Sequence, residues 1–215
     1  MSNNIKHYIF GYGSLINSIS RQVTGDTGHA VPVKVAGFSR YWAKISEGFG
    51  MSSVVVIPDN ETVSVKSQCN GVLVEVSESE FDSFDERERG YQRVLVDAAQ
   101  VAFYDEADKA ALTGTHSEIK IWLYQTNTVV NPCQNFPVVF SYLDVILAGC
   151  LEYSTAFCHD FLEMTQGWQF AVLNDRQNPR YPRVQPKLDV LTLAPFIAKK
   201  CLLEQQQITT GYKIA

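Results

Sequence analysis

Apolar and polar positions alternate along much of the N-terminal half of the chain, and this alternation is typical of β-strands. The segments that follow it are rich in β-branched and aromatic residues and comprise residues 31–45, 53–57, 71–76, 91–103 and 119–124. Glycines at 37, 48 and 50 indicate that the early strands bend. The pattern predicts a sheet that is mainly antiparallel or barrel-like, with residues 91–103 as one long strand followed by a strand at 119–124.

Helices are predicted where the apolar spacing lengthens to three or four residues. A short helix begins near Asn17, and from Pro137 the chain becomes helical, with an apolar face made by Leu143, Ile146, Leu147, Cys150 and Leu151. A last helix is predicted over residues 194–207, with Pro195 in its first turn. Strands followed by helices predict an α+β fold.

The most explicit helix signal begins at Ser77, where residues 77–80 have the form of a capping box. The helix is predicted to run to about Arg89 and to end at Gly90, because glycine readily takes the left-handed conformation of a helix end. On this helix Phe81, Phe84 and Glu88 are spaced i, i+3 and i+7 and therefore share one face. The other charged residues are expected to point to solvent; they are Glu86, Arg87 and Arg89.

Two interpretations of Glu88 remain open at this point. In the first, the side chain reaches water at a frayed helix end and pairs with Arg93 or another cation, although a helix C-terminus is unfavourable for a negative charge. In the second, the carboxylate is partly desolvated, which raises its pKa and suits it to moving a proton near neutral pH.

A glycine-containing loop follows the first apolar run, Tyr8-Ile9-Phe10, and predicts a strand that ends in a tight turn. Gly11 and Gly13 let main-chain amides approach a ligand, so the turn suits a negatively charged oxygen. A plain structural turn is the alternative. Ile16 occupies the place of the third glycine of a dinucleotide fingerprint, and the lysine of a phosphate loop is also missing.

Composition narrows the function classes. The chain has 215 residues, enough for one well-buried domain, and its net charge of −5 gives no basic surface for nucleic acid. Its five cysteines are scattered without a Cys-x-x-Cys pair, which indicates reduced thiols and no zinc site. No secretory signal is visible, and the longest apolar segment, 136–151, contains Asp144 and is too short to span a membrane. We expect a soluble, cytoplasmic protein.

A loop at residues 174–183 is unusual because it contains three arginines, Arg176, Arg180 and Arg183. The favoured interpretation is a clamp that fastens the C-terminal region through arginine-carboxylate and stacking contacts. In the alternative interpretation Arg176 or Arg183 binds a substrate carboxylate through two hydrogen bonds.

Taken together, Phe10-Gly11-Tyr12-Gly13-Ser14-Leu15 and the later Phe84-Asp85-Glu86-Arg87-Glu88-Arg89-Gly90-Tyr91 resemble motifs of the γ-glutamylcyclotransferase superfamily, which includes the ChaC-type and γ-glutamylamine cyclotransferases. The segment Gly37-Phe38-Ser39-Arg40 is similar to the family's second-strand region. The resemblance covers about residues 7–101. It implies that Tyr12, Gly13, Ser14 and Leu15 form the substrate cradle and that Glu88 is the catalytic acid/base.

The fold that the resemblance implies is a small, closed or nearly closed β-barrel flanked by helices. Residues 1–130 would form this barrel core, and residues 131–215 a helical and loop extension packed on the same domain.

The chemistry that the resemblance implies uses the substrate's own nucleophile. The α-amine of a γ-glutamyl peptide or amine attacks the side-chain carbonyl and releases 5-oxoproline, without a metal or cofactor. Amides of the turn at residues 13–15 would hold the α-carboxylate or the oxyanion, while Glu88 moves the proton. Two alternatives keep the fold: an enzyme for a carrier-bound or modified γ-glutamyl group, and a non-catalytic module that binds a small anion or a γ-glutamyl group.

Overall fold

The computed structural model describes residues 5–59, 67–114, 117–181 and the backbone of 208–210. The strands are β1 (Ile5–Gly11), β2 (Ala30–Ala36), β3 (Phe38–Ser46), β4 (Met51–Pro58), β5 (Gln68–Val76), β6 (Gln92–Val96), β7 (Val101–Phe103), β8 (Glu118–Gln125), β9 (Val138–Val139), β10 (Thr165–Gln166), β11 (Val172–Asn174) and β12 (Ile208–Thr210). The helices are α1 (Ser18–Gln22), α2 (Phe81–Arg87), α3 (Glu106–Thr113), α4 (Phe140–Leu151) and α5 (Thr155–Met164). The predicted α+β class is confirmed.

The strands form two six-stranded sheets, in the orders β6-β8-β1-β5-β2-β7 and β10-β3-β4-β9-β11-β12. In the first sheet β1 runs parallel to β8 and antiparallel to β5. The second sheet is built on the antiparallel hairpin of β3 and β4. The two sheets meet where β3 lies against β5 and β4 against β8, which gives a barrel-like arrangement. Within the described residues the strands pair as two sheets and form no closed ring.

The prediction of a single strand over residues 91–103 is wrong, because the chain turns at residues 97–100. Asp97 accepts a hydrogen bond from the Ala99 amide, and Gln100 accepts one from the Asp97 amide, so a capping box starts a 3-10 turn there. The two halves then join opposite edges of the first sheet, β6 beside β8 and β7 beside β2. A helix that the sequence pattern did not predict, α3, follows β7, and Asp105 caps it by accepting a hydrogen bond from the Ala107 amide.

The prediction that a capping box at Ser77 starts α2 is also wrong. Ser77 makes no capping hydrogen bond; its hydroxyl pairs with that of Ser79 instead. A 3-10 turn over Glu78–Glu80 leads into the helix, which ends at Arg87, two residues before the expected position. Gly90 does have the expected positive φ, 88°.

The helices after Pro137 are confirmed as α4 and α5, and α4 packs beneath the turn that follows β1. Gly149 allows this close approach, because a Cβ there would lie 2.4 Å from the Asn17 nitrogen. The short helix expected near Asn17 is α1, which the Asn17 side chain caps through the Ser20 amide. The predicted helix at 194–207 and Arg183 lie outside the described residues. Within the part of the chain that the structure describes, no helix combines the length and apolarity of a membrane span.

Candidate active site

A cavity of about 310 Å³ is lined by all five residues that the sequence predicts for the site. The turn after β1 provides part of its wall, and the C-terminal end of α2 provides another part. The five assigned residues on this wall are Tyr12, Gly13, Ser14, Leu15 and Glu88. Segments far apart in the sequence therefore meet at one place.

The cradle is a 3-10 turn over Ser14–Ile16 that begins directly after Gly13. The Ile16 amide donates to the Gly13 carbonyl oxygen at 2.9 Å, but the first amides of such a turn have no partner within it. Gly13 is required sterically: a Cβ there would lie 2.8 Å from Val54 Cγ2 and 3.1 Å from the Tyr142 hydroxyl. Residue 13 therefore adds no side chain to the cavity wall, and the main chain at this turn forms part of that wall.

Tyr12 ties the cradle to the first sheet. Its hydroxyl donates to the Tyr124 carbonyl oxygen at 2.7 Å, although the two residues are 112 positions apart. Burial raises the pKa of Tyr12 well above its ordinary value, so the phenol remains a neutral donor.

Arg40 supports the cradle from inside the protein, and the sequence analysis gave it no role. Its side chain is fully buried and makes five hydrogen bonds, one of them to the Tyr12 carbonyl oxygen at 3.2 Å. The remaining acceptors are the Thr165 hydroxyl, the carbonyl and side-chain oxygens of Asn70, and the Phe161 carbonyl oxygen. The available signal was the place of Arg40 on one face of β3, two positions from Phe38 and from Trp42, which are both buried.

Glu88 follows the last residue of α2, and its amide donates to the Phe84 carbonyl oxygen at 2.8 Å. Phe81 and Phe84 are buried on the same side of the helix, and the Glu88 side chain is 18% exposed. Its carboxylate lies 3.4 Å from Arg87 Nε. Among the described residues, Arg87 is thus a cation paired with Glu88, whereas Arg93 pairs with Asp85 and stacks on Phe81.

The expectation that Arg87 points to solvent is wrong, since its side chain is only 8% exposed. It donates to the Ser14 hydroxyl at 3.0 Å, to the Ser20 carbonyl oxygen at 3.1 Å and to the Thr24 hydroxyl. Its position three residues after buried Phe84 was the signal that the helix analysis overlooked. Glu86 and Arg89 are exposed, as expected, and pair with each other. Arg87 therefore connects the cradle directly with Glu88.

Three phenols lie around the carboxylate, those of the buried Tyr12 and Tyr142 and of the half-buried Tyr91. Burial is the main cause that raises the pKa of each, and the negative charge of Glu88 adds to the effect. The Tyr91 hydroxyl donates to the Val54 carbonyl oxygen at 3.3 Å. Among the described residues, the cavity lining thus combines the Glu88 carboxylate, neutral phenols and three cations, Lys44, Arg87 and Arg89, of which Arg89 pairs with Glu86.

The arginine-rich loop forms another wall of the cavity through Tyr181. Arg176 binds the Asp144 carboxylate with two hydrogen bonds of 2.7 Å and lies over the Phe140 ring. Arg180 donates to the Gly50 carbonyl oxygen at 2.5 Å. These contacts support the clamp interpretation for both arginines, because both guanidinium groups are engaged with the protein itself.

Asp175 fixes the same loop from beneath. It accepts hydrogen bonds from the amide and hydroxyl of Ser141 and from the Arg180 amide, and the Ser141 hydroxyl in turn accepts one from the Tyr181 amide.

Within the described ranges, no group of three or more histidine, cysteine or acidic side chains is arranged to hold a metal ion.

Comparison with known proteins places the fold. No family model matches the chain, and none of the curated proteins matches it. A solved structure of a γ-glutamyl cyclotransferase superposes with a TM-score of 0.54 at 15% identity, covering 74% of this chain and 88% of that one. A structure of an uncharacterized protein from Homo sapiens gives a TM-score of 0.53 at 15% identity with the same coverage. The chain therefore has the α+β fold of the γ-glutamylcyclotransferases.

Proposed function

We propose that this protein is a γ-glutamylcyclotransferase that converts a γ-glutamyl peptide or amine to 5-oxoproline and the free amine. The observation that carries the proposal is the meeting of Glu88 and the turn at residues 13–15 in one cavity, with Arg87 in contact with both. A carboxylate and a set of main-chain amides are the two groups that this reaction needs.

The reaction forms one bond and breaks one. The α-amine nitrogen attacks the side-chain carbonyl carbon, a five-membered lactam closes, and the bond from that carbon to the leaving nitrogen breaks. The α-nitrogen loses two protons as it changes from ammonium to lactam N–H, and the leaving nitrogen gains two as it changes from amide to ammonium. Glu88 transfers these protons one after the other and ends the cycle ionised, as it began. Holding the substrate in a reactive conformer replaces about 7 to 11 kcal/mol of the barrier in favourable cases.

The turn amides would stabilise negative charge on the substrate. Directed at the oxyanion, one well-placed donor contributes roughly 3 kcal/mol to the transition state. Directed at the α-carboxylate, the same amides would fix the glutamyl group and orient its amine. The neutral phenols of Tyr91 and Tyr142 would line the space around the reacting atoms without adding a competing negative charge.

The test is release of 5-oxoproline from glutathione, γ-glutamyl dipeptides and γ-glutamyl amines by wild-type protein and by Glu88→Gln. We expect the variant to fold normally and to lose at least about a thousandfold in turnover, because glutamine has a similar shape but cannot accept the proton. Glu86→Gln is the matched control, since Glu86 lies on the same helix with its carboxylate in solvent. Turnover by Glu88→Gln within tenfold of wild type would remove Glu88 from the mechanism.

A binding module is the second candidate, and the cationic side chains of Arg87 and Lys44 in the cavity favour it. It predicts that the folded wild-type protein binds γ-glutamyl compounds in calorimetry without forming 5-oxoproline from any of them.

A further inference from the structure

Lys44 differs from the other lysines whose surroundings the structure describes. The described ranges contain five lysines. Four of them have a carboxylate oxygen within 4 Å: Lys6, Lys34, Lys109 and Lys120. Lys44 has none among the described residues, yet it lies in the cavity wall. Among the described lysines, the one that lines the cavity is thus the one with no carboxylate oxygen within 4 Å, and the charge of Glu88 acts on it from beyond that distance.

The contacts of Lys44 are those of a cation held in place but not neutralised. Its ammonium lies 3.2 Å from the centre of the Tyr91 ring and donates to the Arg89 carbonyl oxygen at 3.3 Å. An ammonium has three donors, so donor capacity remains. Burial lowers the pKa of Lys44, and the nearby Glu88 charge only opposes that shift. An anionic ligand bound at Lys44 would add to the opposing effect of Glu88.

The contacts also order the groups along the wall. Arg87 binds the Ser14 hydroxyl of the cradle, and its Nε lies 3.4 Å from Glu88. Beyond Glu88, Lys44 binds the main chain at Arg89. Arg87 thus links Glu88 to the cradle, whereas Lys44 contacts Arg89 and Tyr91, which follow Glu88 in the chain. If the cradle holds the glutamyl group and Glu88 serves the reacting nitrogens, the leaving group extends toward Lys44.

We propose that Lys44 binds a carboxylate on the leaving group, so that the protein prefers γ-glutamyl amino acids and short γ-glutamyl peptides over γ-glutamyl amines that lack an acid. This inference rests on the proposed function. It assigns Lys44 as the residue that determines specificity on the leaving-group side of the cavity.

The experiment compares two substrates that differ only in that charge, γ-glutamyl-alanine and γ-glutamyl-alaninamide. We expect wild type to favour the acid in kcat/KM, and Lys44→Met to reduce this preference about tenfold or more, mainly through KM, because a charge-assisted hydrogen bond is lost. Lys44→Arg should retain much of the preference. Lys120→Met is the control: Lys120 is also partly buried but does not line the cavity.

An unchanged preference in Lys44→Met would overturn the inference, as would an equal loss with both substrates, which would assign Lys44 to the glutamyl group or to Glu88. Failure of the proposed function looks different, because then wild type releases 5-oxoproline from neither compound. In that case calorimetry with the same two compounds decides the role of Lys44: a preference for the acid that Lys44→Met removes supports it, and no such preference refutes it.

Discussion

Arg40 is a permanent positive charge in the interior whose hydrogen-bond acceptors are all neutral oxygens. Arginine keeps its proton at any ordinary pH, so the fold must surround it with acceptors. The guanidinium fork meets five of them in fixed directions, and one belongs to Tyr12 in the cradle. The rigidity of the cradle therefore depends on a residue that does not line the cavity.

Arg40→Lys should lower the free energy of unfolding by roughly 2 to 4 kcal/mol, because a single ammonium group cannot satisfy acceptors spread around a planar fork. Urea denaturation measures the change. Arg89→Lys, at an exposed arginine, should differ from wild type by no more than about 0.5 kcal/mol. Equal stability of the two variants would show that the acceptors around Arg40 do not require the guanidinium group.

Gly13→Ala is expected to reduce 5-oxoproline release about tenfold or more, since the new methyl group would contact Val54 Cγ2 at 2.8 Å and displace the turn amides. Gly48→Ala provides the comparison, because a Cβ at Gly48 has no atom within 4 Å. Full activity in Gly13→Ala would mean that the amides of this turn do not act on the substrate.

At the scale of single elements, the loop that follows β11 is fastened by a buried ion pair, Asp144 with Arg176. The side chain of Asp144 is 7% exposed, whereas the pair of Glu106 and Lys109 on α3 is open to solvent. Buried pairs are costly to break because the remaining charge is left without a partner, while exposed pairs contribute little.

Arg176→Met should therefore destabilise the protein by about 2 to 4 kcal/mol, and Lys109→Met by no more than about 0.5 kcal/mol. Both changes are measured by urea denaturation. The first should also raise KM, because the loop that carries Tyr181 into the cavity wall loses its anchor. If Arg176→Met has the same KM as wild type, the ion pair of Arg176 with Asp144 does not influence substrate binding in the cavity.

The sequence predicted the elements better than their arrangement. Alternation and spacing identify which face of a strand or helix is buried, so the α+β class, the helices after Pro137 and the buried Phe81 and Phe84 could be predicted. They do not identify the neighbour, because the parallel pairing of β1 with β8 joins residues more than 100 positions apart. The break at Asp97 depends on its hydrogen bonds with Ala99 and Gln100, and the burial of the Arg87 side chain depends on its hydrogen bonds to Ser14 and Ser20. The spacing of apolar residues gives no information about either.

At the scale of the whole molecule, the thiols among the described residues divide into an exposed Cys133 and a buried set made of Cys69, Cys150 and Cys158. Burial raises the pKa of Cys69 from 9.0 to about 11. The folded state thus retains this proton where the unfolded chain releases it, so the stabilisation is complete below pH 9 and is lost as pH rises through 11.

We expect the free energy of unfolding to fall between pH 9 and pH 11, with Cys69 contributing at most about 3 kcal/mol of the fall. Denaturant unfolding at several pH values, compared with Cys69→Ala, isolates this share because the buried tyrosines are common to both proteins. The variant should show a shallower decline. Parallel curves would mean that Cys69 does not titrate differently in the two states.

The acceptors of Arg40 have a consequence for synthesis of the chain. They belong to residues 12, 70, 161 and 165, so they leave the ribosome at widely separated times. When β1 and α2 have both been translated, α5 has not, and until α5 and Thr165 are translated the Arg40 guanidinium group lacks two of its hydrogen-bond acceptors. The binding turn is among the first parts to be translated and, by this reasoning, among the last to become competent.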